Sequence, residues 1–168
     1  MSSVPIRYLP KRLTKKDKKI YSEQLRKSRK QYKKGIYHTR KKVKSFKTKL
    51  SKHVVNAKRI YGIDKIDASP LLAKKTGCSI KTLKKIVKKG QGAYFSSGSR
   101  PNQTGHSWGR ARLASSITGG KASAVDYKLL KEGCVPSSKA LKMAKAARKK
   151  YKYGTRRVPK TKLLLSKK

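Results

Sequence analysis

Along most of this chain apolar residues recur at helical spacing, and the runs are bounded by residues that start or stop helices. Tyr21, Leu25 and Tyr32 share one face, with Ser28 between them, which predicts a helix over 15–34. Thr14 with Asp17 is a capping pair at its start, and Gly35 is a stop. Residues 36–52 have no period and read as extended or irregular. Ser51 then opens a short helix, 52–61, carrying Val54, Val55, Ala57, Ile60 and Tyr61 and closed by Gly62. Ser69 caps a further helix with Pro70 at its first position, where a missing N–H costs nothing. Gly77 ends it in a tight turn, and Ser79 caps a second helix with Leu83, Ile86 and Val87 inward and Gly90 at its end. Residues 92–109 are rich in loop formers. Trp108, Ala111, Leu113, Ala114 and Ile117 predict a buried helix over 105–118, stopped by Thr118-Gly119-Gly120, and Asp126, Tyr127, Leu129 and Leu130 begin another packed segment.

This pattern predicts a mainly α protein: a small helical core containing a helix-turn-helix-like hairpin, flanked by extended basic arms. The expected divisions are an N-terminal arm, 1–65, with one or two helices; a compact core, 66–135, around Tyr94, Phe95, Trp108 and Tyr127; and a basic C-terminal helix and tail, 136–168. The stripe on the first helix is thin. Its three large residues supply about 1.5–3 kcal/mol each if fully buried, against about 1–2 kcal/mol of backbone entropy for each residue fixed. That helix is therefore expected to be ordered by a partner rather than by its own chain.

Charge sharpens the picture. Of 168 residues, 49 are Lys or Arg and six are Asp or Glu, a net charge of +43. Self-repulsion on this scale opposes compaction and points to a polyanionic partner. The charge is uneven: residues 11–52 carry 19 Lys or Arg, and residues 139–168 carry no acid. The candidate polyanion-binding residues are Lys15, Lys16, Lys18, Lys19, Arg26, Arg29 and Lys30 on the first helix, Arg40, Lys41 and Lys42 after it, Lys81, Lys84 and Lys85 on the hairpin, and Arg148, Lys149 and Lys150 near the end. Ala73, Gly77, Leu83 and Ile86 reproduce the small–Gly–apolar–apolar spacing of helix-turn-helix DNA-binding proteins, a resemblance that implies a second helix offering Ser79, Lys81, Thr82, Lys84 and Lys85 to phosphates or a groove. On the residues alone this segment reads more readily as a purely structural hairpin packing the core. Lysines on such a helix contact phosphate and read little sequence, so the expected nucleic-acid partner is double-stranded DNA, bound sequence-tolerantly. The polar run 92–109 reads more readily as a network satisfying its own backbone than as a binding loop.

Other chemistry finds little footing. The six carboxylates do not cluster, and His38, His53 and His106 are scattered, so neither an acid–base pair nor a metal set is expected, and no cofactor. Gly119-Gly120-Lys121 is no phosphate loop, because Ser115 stands where the first glycine would be needed. A non-enzyme is expected. No apolar run reaches the length of a membrane span, though contact with an anionic membrane surface stays open. The start of the chain lacks an apolar signal segment, which leaves the Asn102-Gln103-Thr104 sequon little weight. Cys78 and Cys134 are too few for a disulfide framework and are expected to be partly buried thiols in a reducing compartment.

From about Tyr8 to Tyr151 the chain resembles an uncharacterised lysine-rich family of large nucleocytoplasmic DNA viruses, of the chlorella-virus and mimivirus kind. The carrying residues are Tyr8-Leu9-Pro10-Lys11-Arg12-Leu13-Thr14-Lys15-Lys16-Asp17, Lys27-Ser28-Arg29-Lys30 and Thr39 through Phe46, and most strongly Ser96 through Thr104, Trp108, Ala111-Arg112-Leu113-Ala114 and Thr118-Gly119-Gly120-Lys121. Shorter phage proteins are similar over that last part. The resemblance brings no established activity. It implies a virion component, made in the host cytoplasm or nucleus and located in the capsid interior. Two roles follow: a minor capsid protein whose basic arms bind acidic faces of neighbouring capsid proteins, or, alternatively, a DNA-binding protein that condenses or anchors the packaged genome.

Overall fold

The computed structural model describes residues 2–152 and 158–164; the remainder of the expected tail lies outside the described residues. As expected, the chain is mainly α. Its elements are β1 (Ser3–Pro5), a 3-10 turn (Ile6–Tyr8), α1 (Lys15–Tyr32), α2 (Lys52–Tyr61), α3 (Pro70–Thr76), α4 (Ile80–Ser96), α5 (Gly105–Ser116), α6 (Lys121–Val125), α7 (Tyr127–Gly133), α8 (Lys139–Tyr151) and β2 (Lys160–Lys162). The expected boundaries at 65/66 and 135/136 are not those of the structure. One compact unit combines Met1–Lys49, Gln91–Trp108 and Arg157–Lys168; the other combines Leu50–Gly90 and Gly109–Arg156.

The first unit corrects the expectation that the N-terminal residues need a partner to order them. It has a core of its own, built from Val4, Tyr8, Leu9, Leu13, Tyr21, Leu25, Val43, Phe46 and Leu163, with Ile20 and Trp108 packed against it. Trp108 is thus a flank of this cluster, edge-on to Tyr8 at 5.9 Å between ring centres, and not its centre. β1 and β2 pair antiparallel with Val4 opposite Thr161, which draws residues distant in sequence into one small sheet. Helix α1 starts as its sequence demands: the Thr14 hydroxyl accepts from the Asp17 amide, and the Asp17 carboxylate accepts from both the amide and hydroxyl of Ser45 at 2.8 and 2.6 Å.

What holds α1 to its own chain is Arg40. Its side chain leaves only 4% of the residue's surface exposed. The guanidinium donates to Ser28 Oγ (2.9 Å), the Tyr94 carbonyl (2.8 Å), Ser99 Oγ (2.8 Å) and the Tyr21 hydroxyl (3.3 Å), and lies 3.7 Å from the centre of the Tyr94 ring. A buried charge is costly unless its donors are met. Here neutral oxygens and a π face meet them, and only the planar fork of Arg can reach four acceptors at once. The Tyr21 hydroxyl in turn donates to the Ser99 carbonyl at 2.8 Å. Residues 97–104 therefore do satisfy a local network, but its key donor comes from the irregular stretch 36–51.

The second unit buries Val54, Ala57 and Tyr61 of α2, Leu72 of α3, Leu83 and Ile86 of α4, Leu113 and Ala114 of α5 with Ile117 just after it, Leu130 of α7, and Ala140, Leu141 and Ala144 of α8. The C-terminal helix is thus part of this core and not an appendage. Helix α4 also runs six residues past its expected end. Gly90 is not a cap: a Cβ there would lie 2.7 Å from the Cα of Gly109 and 3.0 Å from Arg112 Cβ, so its missing side chain lets the α5 backbone approach. Gly92, also inside α4, has only the Tyr32 hydroxyl near that position, at 3.7 Å.

This contrast gives a paired test. Gly90→Ala forces backbone apart and is expected to destabilise by about 1–3 kcal/mol. Gly92→Ala removes a helix-interior glycine without a clash and is expected to be neutral or stabilising by up to about 1 kcal/mol. Urea denaturation of the two variants beside the parent protein measures both.

Candidate polyanion-binding face

The hairpin forms as its local signals require. The Ser69 hydroxyl accepts from the Leu72 amide and Pro70 sits in the first turn of α3. Gly77 ends α3 with φ +72°, a left-handed geometry cheap only for glycine, and a Cβ there would lie 2.9 Å from Ser138 Cβ. The Ser79 hydroxyl then accepts from the Thr82 amide at the start of α4. The turn is pinned on its far side too. The Ser79 amide donates to the Gly133 carbonyl and the Val135 amide to the Gly77 carbonyl, each at 2.8 Å, and between them Cys78 and Cys134 form a disulfide. The expectation of two free thiols is corrected by this pairing. α7 ends where the hairpin turns, so two buried cysteines separated by 56 residues in sequence are brought face to face.

The exposed side of α4 carries Lys81, Lys84, Lys85 and Lys88, which with Ile80 line a shallow open depression of about 410 Å³. Their spacing places them on one helical face. Leu83 and Ile86 on the opposite side are fully buried. Four like-charge pairs at three- and four-residue spacing cost about 0.2–0.5 kcal/mol each. Burying the two aliphatic side chains contributes about 1.5–3 kcal/mol apiece. Packing wins, so the lysine face is formed before any partner arrives. Among the described residues none of the four lysines is ion-paired.

Elsewhere in the second unit two of its four acids, Asp126 and Asp67, are engaged by cations of the same unit. The Asp126 side chain has no exposed surface and binds Arg112 through two hydrogen bonds (2.9 and 2.8 Å), Lys89 (2.8 Å) and the Ser116 hydroxyl (2.8 Å). Burial alone would raise its pKa, yet Arg112, Lys89 and Ser116 together hold the carboxyl below the ordinary carboxylate range. Asp67 joins Lys65 and Arg110 in a more exposed pair of contacts.

The sequence-predicted residues divide sharply. Lys81, Lys84 and Lys85 come together on α4, and Lys88, which sequence reasoning passed over, completes the face; its i+7 spacing from Lys81 was the available signal. Thr82 is corrected, since it is buried; Ser79 stays exposed, its hydroxyl capping α4 and donating to Thr82. Arg40 is likewise removed from the candidates because its guanidinium is consumed inside the first unit. Arg29 is half-buried and bonded to the carbonyls of Ser97 and Ser3. Arg26 and Lys18 are half-buried, whereas Lys15, Lys16, Lys19, Lys30, Lys41 and Lys42 are exposed. On α8, Arg148 lies over the Tyr127 ring at 4.5 Å, and Lys149 and Lys150 are exposed. Among the described residues no group of His, Cys, Asp and Glu could hold a metal ion, and no helix is long and apolar enough to cross a membrane.

Residues 5–131 match the model of a family of unknown function, DUF5824, and the chain belongs to that family. No curated protein and no solved structure matches it.

The Asp126 cluster makes the fold acid-sensitive with a defined sign. A carboxyl held below its ordinary value of 3.8 contributes stability that is complete above that value and is lost as pH falls through the lowered folded-state value. Asp126→Asn is expected to cost about 3 kcal/mol near neutral pH. The difference between parent and variant should be constant between about pH 5 and 7 and shrink below about pH 4. Thermal melts across that range test it; a gap that persists undiminished into strong acid contradicts the assignment.

Proposed function

We propose that this member of the family is a non-enzymatic nucleic-acid-binding protein that meets the phosphate backbone of duplex DNA through the lysine face of α4. The observation that carries the reading is the set of four unpaired ammonium groups on one pre-formed helical face. A phosphate backbone turns their mutual repulsion into attraction and releases counterions in proportion to the phosphates neutralised. Lysine is a point charge and not a bidentate base reader, so the binding is sequence-tolerant. A non-enzymatic role is favoured by the use of three of the six acids, Asp17, Asp67 and Asp126, as structural pins.

In a virion, which the sequence resemblance favours as the setting, such a protein condenses or anchors the genome. The capsid-lining role is the second reading. The exposed lysines of α1 and α8 favour it, since acidic faces of neighbouring proteins would suit them. It ranks second because the N-terminal residues pack on their own chain and need no shell to order them. Fractionation of disrupted particles separates the two readings: the protein leaves with DNA in the first and with shells in the second.

The direct test is the salt dependence of binding to random duplex DNA. The logarithm of affinity is expected to fall linearly with the logarithm of salt concentration, and the Lys84→Ala, Lys85→Ala double variant to reduce that slope by about 2. Folding stability should stay within about 0.5 kcal/mol of the parent, because both side chains are exposed. A slope unchanged by the double variant, or strong preference for one sequence, would count against α4 as the binding face.

A further inference from the structure

The first unit carries an aromatic arrangement that the duplex-binding reading does not use. Tyr37 is 68% exposed and is the one aromatic among the large apolar side chains left open to solvent in the described residues. It is nevertheless held in place. α1 ends in a turn where Gly35 takes φ +74° and the Ile36 amide donates back to the Gln31 carbonyl at 3.0 Å. That turn sends the chain back past the end of α1. Tyr37 then lies edge-on to Tyr32 (6.0 Å between ring centres) and to Phe95 (5.2 Å), and Phe95 is edge-on to Tyr94 at 4.9 Å. On its C-terminal side His38 is hydrogen-bonded to the Gln24 side-chain carbonyl at 3.0 Å. The ring is held by two edge contacts and is flanked by one backbone and one side-chain hydrogen bond, yet about two thirds of its surface faces water.

The electrostatic setting is one-sided. Between Gln24 and Ile63 the chain has no Asp or Glu. Lys33 and Lys34, just before the ring in sequence, are exposed, as are Lys30 and Lys41. A fixed, exposed ring among cations suits a ligand that has both an aromatic face and negative charge. Single-stranded nucleic acid has both, whereas a duplex keeps its base faces stacked internally. Every base offers a π face, so such stacking is sequence-tolerant and survives on charge from the backbone.

We propose that Tyr37 is a stacking platform for an unpaired base of single-stranded nucleic acid, with Lys33 and Lys34 holding the adjoining phosphates. This shares with the function proposed above the premise that the partner is nucleic acid, but it places a second site, for a different form of it, in the other unit of the chain. The shared chemistry is an unpaired base, which DNA or RNA can supply.

The experiment is fluorescence anisotropy of the full chain with labelled oligothymidylate, oligouridylate and a random duplex of the same length. Tyr37→Ala is expected to weaken binding to a single strand by about tenfold while duplex affinity stays within about twofold. Tyr37→Phe, which keeps the ring, should restore single-strand binding. Loss with thymidylate, uridylate or both supports the site and says which of the two strands it accepts. In the unaltered protein, oligothymidylate should shift the Tyr37 ring proton resonances upfield, a readout that does not depend on the variant folding. Tyr37→Ala that binds single strands as the parent does, or that loses duplex and single strand alike, overturns the platform; so do ring resonances that do not move. If duplex binding still depends on Lys84 and Lys85, the failure is confined to this site. If the parent binds no nucleic acid at all, both readings fall.

Discussion

A net charge of +43 with six acids in the whole chain is the constraint that the rest of the structure accommodates. Ordinary globular surfaces intersperse the two signs. This chain cannot, so it solvates an internal cation with neutral groups and gathers others onto one buried carboxylate. Arg40 shows the first device: hydroxyls, a carbonyl and a tyrosine face surround it. Asp126 shows the second, gathering Arg112 and Lys89 onto one buried carboxylate that also binds Ser116. Both are networks in which removing one member leaves other buried groups unmet, so each joins segments that the thin apolar content alone would hold weakly.

The same constraint accounts for the character of α4. Its lysine face raises the free energy of the isolated protein, and the helix persists because Leu83 and Ile86 on the opposite side outweigh the repulsion. The hairpin turn does not rely on those contacts alone. Gly77, the two backbone hydrogen bonds across the turn and the Cys78–Cys134 disulfide tie it to the end of α7. In the chain-entropy account a disulfide typically contributes about 2–4 kcal/mol. The face is therefore built on a turn that is secured several times over, as a binding surface under electrostatic load requires.

The parts of this arrangement that depend on neighbours in sequence were legible in it. Thr14, Ser69 and Gly77 act on amides or angles within a few residues, and the starts of α1 and α3 and the turn before α4 follow. The lysine spacing on α4 was also there to read. What escaped were features decided by distant residues. Gly90 carries a stop signal, but its use depends on Gly109 across a helix crossing, so α4 continues. β1 and β2 are three residues each, too short for any period, and they pair across almost the whole chain. Arg40 looks like one more cation in a basic run; its acceptors lie 12, 19, 54 and 59 residues away. The N-terminal residues read as an unsupported arm for the same reason, since part of their support comes from Tyr94, Ser99, Trp108 and Leu163, far away in sequence. The cysteine pairing depended on where α7 ends, which spacing alone does not fix.

The central claim is that the lysines of α4, and not the basic composition at large, form the duplex-binding surface. Lysine footprinting addresses it residue by residue: the protein is acetylated briefly with and without saturating random duplex DNA, and modification at each lysine is quantified by mass spectrometry. The account predicts strong protection of Lys81, Lys84, Lys85 and Lys88 together, with exposed lysines such as Lys15 and Lys16 less affected. Uniform weak protection over every exposed lysine, or protection that spares the α4 face, would contradict it.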